Sequence, residues 1–169
     1  MINFVLGGAR SGKSAYAESV ANTSGCELIY IATASAGDSE MSERIKKHKE
    51  RRGVNWQTIE EEIDISAIIQ QQETSNQKLI LVDCLTLWLS NLLHYNLDIG
   101  EETQKLLCAL KKTTAEIILV SNEVGQGIIP DNVLARKFVD EAGILHQKIA
   151  AISDNVIFVT AGIPTKIKG

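Results

Sequence analysis

The residues from Gly7 to Ser14 read Gly-Gly-Ala-Arg-Ser-Gly-Lys-Ser and satisfy G-x-x-x-x-G-K-[ST] in full. Each fixed position has a physical reason. Gly7 and Gly12 permit backbone angles that a Cβ forbids. Successive N–H groups then point inward and form a nest for an anion. A helix starting at Lys13 adds its positive end. Lys13 can reach the β- and γ-phosphates of a nucleotide, and Ser14 can offer a hydroxyl to Mg²⁺. The pattern also occurs in unrelated chains as a Gly-rich turn that binds nothing, so its context decides. Here it lies between an apolar run, Ile2 to Leu6, and a stretch of helical composition, Lys13 to Asn22.

The same alternation continues along the chain. Strands are expected at Glu27 to Ala32, Val54 to Thr58, Lys78 to Val82, Glu116 to Val120 and, last, Asn155 to Thr160. Helices are expected from Asp38 or Ser39 to Arg52, and at Ile63 to Gln72, Leu85 to Tyr95 and Glu101 to Lys112. A further one spans Asn132 to Ile152, although Gly143 weakens the case for one unbroken helix. Pro130 and Pro164 are read as lying in loops after strands. Continuous apolar strands alternating with helices imply parallel pairing, hence a layered α/β sheet. Ligands of such sheets sit beyond the carboxyl ends of the strands. The loops at Gly7, Thr33, Asp83 and Ser121 are therefore expected on one edge.

With 169 residues, no repeat and no linker-like stretch, the chain reads as one domain, residues 1–169. Apolar residues make up 44%, enough for a packed core and too many for a disordered chain. The balance of 17 basic and 21 acidic residues gives a net charge of −4, which argues against a whole-molecule grip on nucleic acid or anionic membrane. Cys26, Cys84 and Cys108 are scattered and form no C-x-x-C pair, so they read as reduced thiols rather than a zinc site or disulfides. No apolar run reaches the ~18 residues of a membrane span, and no signal peptide is visible. A cytoplasmic protein is the expectation.

Asp83 ends the apolar strand Leu79 to Val82 and is placed either to hold Mg²⁺ or to cap the helix that follows. The stretch Glu43 to Arg52 holds Arg44, Lys46, Lys47, Lys49, Arg51 and Arg52, six of the 17 basic residues. It is either a solvated helix face or a clamp for nucleotide phosphates. His48 stands inside it, on one helix face with Met41, Ile45 and Arg52. One reading makes it a half-buried extension of an apolar stripe. The other makes it a nucleophile: a neutral imidazole attacks phosphorus to form a phosphoramidate. Neighbouring cations favour the neutral imidazole and stabilise the phosphate charge. His94 and His146 receive no role. Glu123, after the strand at Glu116 to Val120, is a candidate general base or a loop cap.

These segments occur in a specific order: GGARSGKS, YIATA from Tyr30, EMSERIKKHKERR from Glu40, WQTIE from Trp56, VDCLTLWLSNLL from Val82, VSNEVGQGIIP from Val120, ARKFVDEAG from Ala135 and the AGIPTKIK stretch. In this order, and over essentially its whole length, the chain resembles the bifunctional adenosylcobinamide kinase / adenosylcobinamide-phosphate guanylyltransferase family of cobalamin biosynthesis. The resemblance implies a RecA-like P-loop fold, a mostly parallel sheet flanked by helices, and a homotrimer. It implies phosphorylation of the terminal hydroxyl of adenosylcobinamide with ATP or GTP. GMP from GTP then passes through a histidine to adenosylcobinamide phosphate, releasing pyrophosphate and giving adenosylcobinamide-GDP.

By the same resemblance, nucleotide contacts are implied for Gly7, Gly8, Ala9, Arg10, Ser11, Gly12, Lys13 and Ser14, for Thr33, Ala34 and Ser35, and for Lys49, Glu50, Arg51, Arg52, Glu60 and Asp83. His48 aligns with the guanylylated histidine, Lys13 serves both chemistries, and Ser14 with Asp83 would hold Mg²⁺. Two rival readings stand beside this one. A monofunctional P-loop kinase of a small alcohol would leave His48 structural. A non-enzymatic GTP sensor would show slow turnover, and the chain lacks the N-K-x-D guanine motif such sensors use. Neither nucleic-acid binding nor a membrane span is expected.

Overall fold

The computed structural model describes residues 1–34, 55–72 and 77–169. Seven strands form one sheet: β1 (Ile2–Gly7), β2 (Glu27–Ala32), β3 (Trp56–Glu60), β4 (Lys78–Asp83), β5 (Glu116–Asn122), β6 (Asn155–Thr160) and β7 (Ile163–Lys168). The described helices are α1 (Lys13–Asn22), α2 (Ile65–Gln71), α3 (Leu85–His94), α4 (Ile99–Lys112) and α5 (Val133–Ile152). The strand order is β3-β2-β4-β5-β1-β6-β7, with every pair parallel except β6 and β7.

The inner strands are apolar on both faces because both faces are covered. Alternate residues divide between two cores. Phe4, Leu6, Ile29, Ile31, Ile80, Val82, Ile117 and Leu119 meet Ile65 and Ile69 of α2, Trp88 and Leu89 of α3, Leu106 and Leu110 of α4, and Leu145 and Ile149 of α5. On the opposite face Val5, Tyr30, Leu79, Leu81, Ile118 and Val120 pack with Ala17 and Ala21 of α1. Those two alanines let α1 lie close over the centre of the sheet, which holds the loop before it against β1.

Side-chain caps fix three helix starts. Asp64 accepts from Ala67 N at 3.0 Å, Asp98 from Glu101 N at 2.9 Å and Asn132 from Ala135 N at 3.1 Å. They explain the differences from the sequence reading: α2 starts at Ile65 rather than Ile63, and α4 at Ile99 rather than Glu101. Gly143 leaves α5 unbroken over its 20 residues. Strand β3 begins two residues later than expected and reaches Glu60, which pairs with Ala32.

One element escaped the sequence reading. Asn155 to Thr160 is not the last strand, because β7 returns antiparallel beside it. Its residues are all exposed, so no buried apolar face marks it. Ala161 (φ 51°) and Gly162 (φ 80°) make the tight turn. Pro164 therefore lies inside a strand, not in a loop, at the sheet edge where a missing N–H is tolerated.

Among the described residues no helix is long and apolar enough to cross a membrane. The helix expected up to Arg52, with Ser35, His48, Lys49, Glu50, Arg51 and Arg52, lies outside the described residues.

Candidate nucleotide site

Parallel pairing brings the carboxyl ends of the strands to one edge. Gly7 is level with Asn122 on one side and Val159 on the other, Asp83 with Val120 and Ala32, and Ala32 with Glu60. The four loops expected to share an edge do share it. Gly8 to Gly12 then turns from β1 into α1, with Ser11 N donating to Gly8 O at 3.2 Å and Tyr16 N to Gly12 O at 3.0 Å.

The loop conformation depends on its glycines. Gly12 has φ 97° and stands as the N-cap of α1, and Arg10 also has positive φ, 57°. A Cβ on Gly7 would lie 2.5 Å from both Ser11 Oγ and Val159 O, so no other residue fits there. Lys13 is buried, with 8% of its surface exposed, and its Nζ donates to Gly8 O at 3.2 Å. The ammonium is thus folded over the loop that it would share with a phosphate. Ser11 Oγ is buried without a hydrogen-bond partner among the described residues. A buried hydroxyl of this kind calls for a partner, and a phosphate oxygen in the nest would supply one.

Asp83 stands half-buried at the tip of β4. It does not cap α3: Cys84 occupies the N-cap position, without a side-chain cap. The Cys84 thiol is pushed up to about 11, first by burial and then by the negative charge of Asp83, while the ammonium of Lys13 pulls the other way. Both charges therefore reach Cys84, just beyond the tip of β4. Among the described residues no group of three or more His, Cys, Asp or Glu gathers as a metal site. The hydroxyl of Ser14 and the carboxylate of Asp83 suit Mg²⁺, which takes few protein ligands and fills its shell with phosphate oxygens and water.

Thr33 has a different position from Lys13. It is fully buried, and its Oγ1 both donates to Cys84 O and accepts from Cys84 N, each at 2.8 Å. Asn91 Nδ2 holds the Thr33 carbonyl at 2.9 Å. Thr33 joins the ends of β2 and β4, Ala34 follows it half-buried on the same edge, and Glu60 is exposed at the tip of β3.

The sequence reading missed a buried polar chain beside the loop. His146 Nε2 lies 2.8 Å from Ser121 Oγ, which lies 3.1 Å from Thr86 Oγ1, which accepts from Asn122 N at 2.6 Å. On its other side His146 Nδ1 lies 4.0 Å from Glu123 Oε2. Glu123 Oε1 accepts from Gly125 N at 2.6 Å, and Glu123 N donates to Gly7 O at 3.0 Å. Burial holds the His146 imidazole below its ordinary value, with Glu123 opposing. The available signals were slight: a Ser-Asn-Glu triplet ending an apolar strand, and one histidine among Ala142, Leu145 and Ile149.

The profile of the family described as cobinamide kinase / cobinamide phosphate guanyltransferase matches residues 3–167. A bifunctional adenosylcobalamin biosynthesis protein, CobP, of Pseudomonas aeruginosa is 47% identical, covering 100% of this chain and 98% of its own. The bifunctional adenosylcobalamin biosynthesis protein CobU of Escherichia coli K12 is 38% identical, covering 99% and 100%. Among solved structures, an ATPase from the type III secretion system of pathogenic bacteria superposes with TM-score 0.60 at 12% identity, over 98% of this chain and 57% of that one. Another ATPase domain superposes with TM-score 0.51, also at 12% identity, over 93% and 68%. These distant likenesses fix the fold as that of P-loop NTPases, and the match over nearly the whole length fixes the family. The chain is a member of the cobinamide kinase / cobinamide phosphate guanyltransferase family.

Proposed function

We propose that this chain, as one catalytic domain, phosphorylates the terminal hydroxyl of adenosylcobinamide with ATP or GTP and then transfers GMP from GTP to adenosylcobinamide phosphate. The products are adenosylcobinamide-GDP and pyrophosphate. The observation that carries this reading is the preformed phosphate loop with Lys13 folded into it, at the same sheet edge as Asp83, in a chain of a family named for both chemistries.

In the kinase step the loop from Gly7 to Ser14 holds the phosphates through its N–H groups. Lys13 neutralises charge spreading over the γ-phosphoryl while the substrate hydroxyl attacks in line. In the second step His48 attacks the α-phosphorus, the bond to the β-phosphate oxygen breaks, and pyrophosphate departs beside Lys13. The phosphorylated arm then displaces the histidine and takes up GMP. Mg²⁺, held by Ser14 and Asp83, would supply charge neutralisation to both leaving groups. Ala34, Ser35, Lys49, Glu50, Arg51, Arg52 and Glu60 complete the nucleotide contacts, and Thr33 joins the ends of β2 and β4 beside Ala34. The working form is a cytoplasmic homotrimer acting on small molecules.

The test is to incubate the protein with Mg²⁺ and α-labelled GTP, denature it and map the label by peptide mass spectrometry. Acid-labile GMP on the peptide containing His48 is the expected result, and His48→Asn is expected to lose it while retaining much of the kinase activity. A folded, GTP-binding protein that takes no label overturns the histidine step in favour of a simple kinase.

A further inference from the structure

The kinase step releases a proton from the attacking hydroxyl, and that proton needs an acceptor. The described carboxylates at the strand tips, or within two residues beyond them, are Glu60, Glu61, Glu62, Asp83 and Glu123. Asp83 is assigned to the metal. Glu61 Oε1 is occupied by Ile63 N and Asp64 N, both at 2.9 Å, and Glu62 Oε2 takes the Tyr95 hydroxyl at 3.4 Å. Glu60 ends β3, with three strands between it and β1. Glu123 alone of these is bound to the phosphate loop, its N–H donating to Gly7 O at 3.0 Å on the strand adjoining β1.

Its carboxylate is also held in place. Gly125 N–H grips Oε1, and the His146 ring stands behind Oε2. The side chain keeps 22% of its surface exposed, so a substrate can reach it. A neutral imidazole carries one proton, and the carboxylate facing Nδ1 draws it there. Nε2 then accepts from Ser121, Ser121 accepts from Thr86, and Thr86 accepts from Asn122 N–H. Ser121 and Thr86 are each hydrogen-bonded on both sides and His146 is bonded through Nε2, which limits the chain to a single arrangement. It ties α5 to the tip of β5 and to the first turn of α3, which follows Asp83.

We propose that Glu123 is the proton acceptor of the kinase step and that His146 is the positioning residue that holds its carboxylate beside the phosphate loop. The proposal rests on the kinase reading given above. The hydroxyl oxygen forms the bond to the γ-phosphorus, and the bond from that phosphorus to the β,γ-bridging oxygen breaks. Its electron pair leaves on the nucleoside diphosphate, and the hydroxyl proton passes to Glu123. The guanylylation of His48 involves no hydroxyl and makes no use of this acceptor.

The full-length protein and its Glu123→Gln, His146→Ala and His146→Gln variants are compared in two reactions: phosphorylation of adenosylcobinamide by ATP, and labelling by α-labelled GTP. Glu123→Gln is expected to lower the kinase kcat roughly 100-fold, the lower end for a lost general base, with the KM for ATP within about twofold. His146→Ala is expected to lose about tenfold in kcat, and His146→Gln to recover most of it, since an amide can both accept from Ser121 and donate toward Glu123. Labelling by GTP is expected to stay within about twofold in all three variants. Kinase activity undiminished in Glu123→Gln overturns the proposal. So does a parallel fall of kinase and labelling, which would reduce both residues to braces for the loop. A wild-type chain that phosphorylates no corrinoid alcohol overturns the underlying reading, and this proposal with it.

Discussion

The amide of Gly162 donates to the carbonyl of Ser11 across 2.8 Å, fastening the β6–β7 turn to the phosphate loop. A Cβ on Gly12 would meet Gly162 Cα at 3.1 Å, whereas one on Gly162 would meet nothing within 4 Å. Both residues have positive φ. Gly12→Ala therefore carries steric and conformational costs inside the loop and is expected to abolish measurable nucleotide binding by calorimetry. Gly162→Ala carries only the conformational cost, about 1–2 kcal/mol, read as a fall in denaturant midpoint. Gly162→Asn should lose less, because asparagine tolerates that region.

Lys13→Ala is expected to reduce both half-reactions roughly 100-fold or more and to weaken ATP and GTP together, as the proposed shared phosphate site requires. Steady-state phosphorylation and GTP labelling measure the two. A variant with full labelling would place the phosphate anchor elsewhere.

Thr33 satisfies both backbone groups of Cys84 in a fully buried position. Thr33→Val keeps the shape but orphans an N–H and a C=O, so urea unfolding should show a loss of about 2–4 kcal/mol. Thr33→Ser should keep most of the stability. Equal stability of Thr33→Val and the parent would show that the pair contributes nothing net.

The three thiols differ in exposure: Cys108 is exposed, Cys26 intermediate and Cys84 buried. Since thiolate is the reactive form and the Cys84 thiol is pushed up to about 11, iodoacetamide at about pH 8 should modify Cys108 first and spare Cys84 until the protein unfolds. Early labelling of Cys84, read by mass spectrometry, would contradict the burial of its side chain.

The buried imidazole of His146 has its pKa lowered in the fold. The unfolded chain, near 6.5, takes up a proton before the native one does. Stability contributed by the neutral ring is thus complete above about pH 6.5 and falls as pH drops below that value toward the lower native pKa. His146→Gln should flatten this part of the curve of melting temperature against pH. An unchanged slope would mean that the ring protonates equally in both states.

The sheet was legible because its inner strands are apolar on both faces, and Ile2–Gly7 followed by the glycine-rich loop leaves little choice of fold. β7 was not, because its stability comes from backbone pairing with β6 while its side chains remain exposed. The positions of Lys13 and Asp83 were legible because each lies next to a strand end or the loop that follows one. His146 was not: its partners Ser121 and Glu123 lie more than 20 residues away, and helix periodicity gives no hint of what faces it. Thr33 was legible as an edge residue, but the engagement of its hydroxyl with Cys84 depends on β2 and β4 being neighbours.

The phosphate loop is clipped at two points, at Gly7 by Glu123 N and at Ser11 by Gly162 N. Both clips come from residues more than 100 positions downstream. During synthesis, the nascent chain emerges from the ribosome with residues 7–14 exposed long before either clip exists. Nucleotide affinity must then arrive late, when β5 and the β6–β7 turn dock on either side of β1. The loop's full set of backbone contacts is thus complete only once the last third of the chain is made.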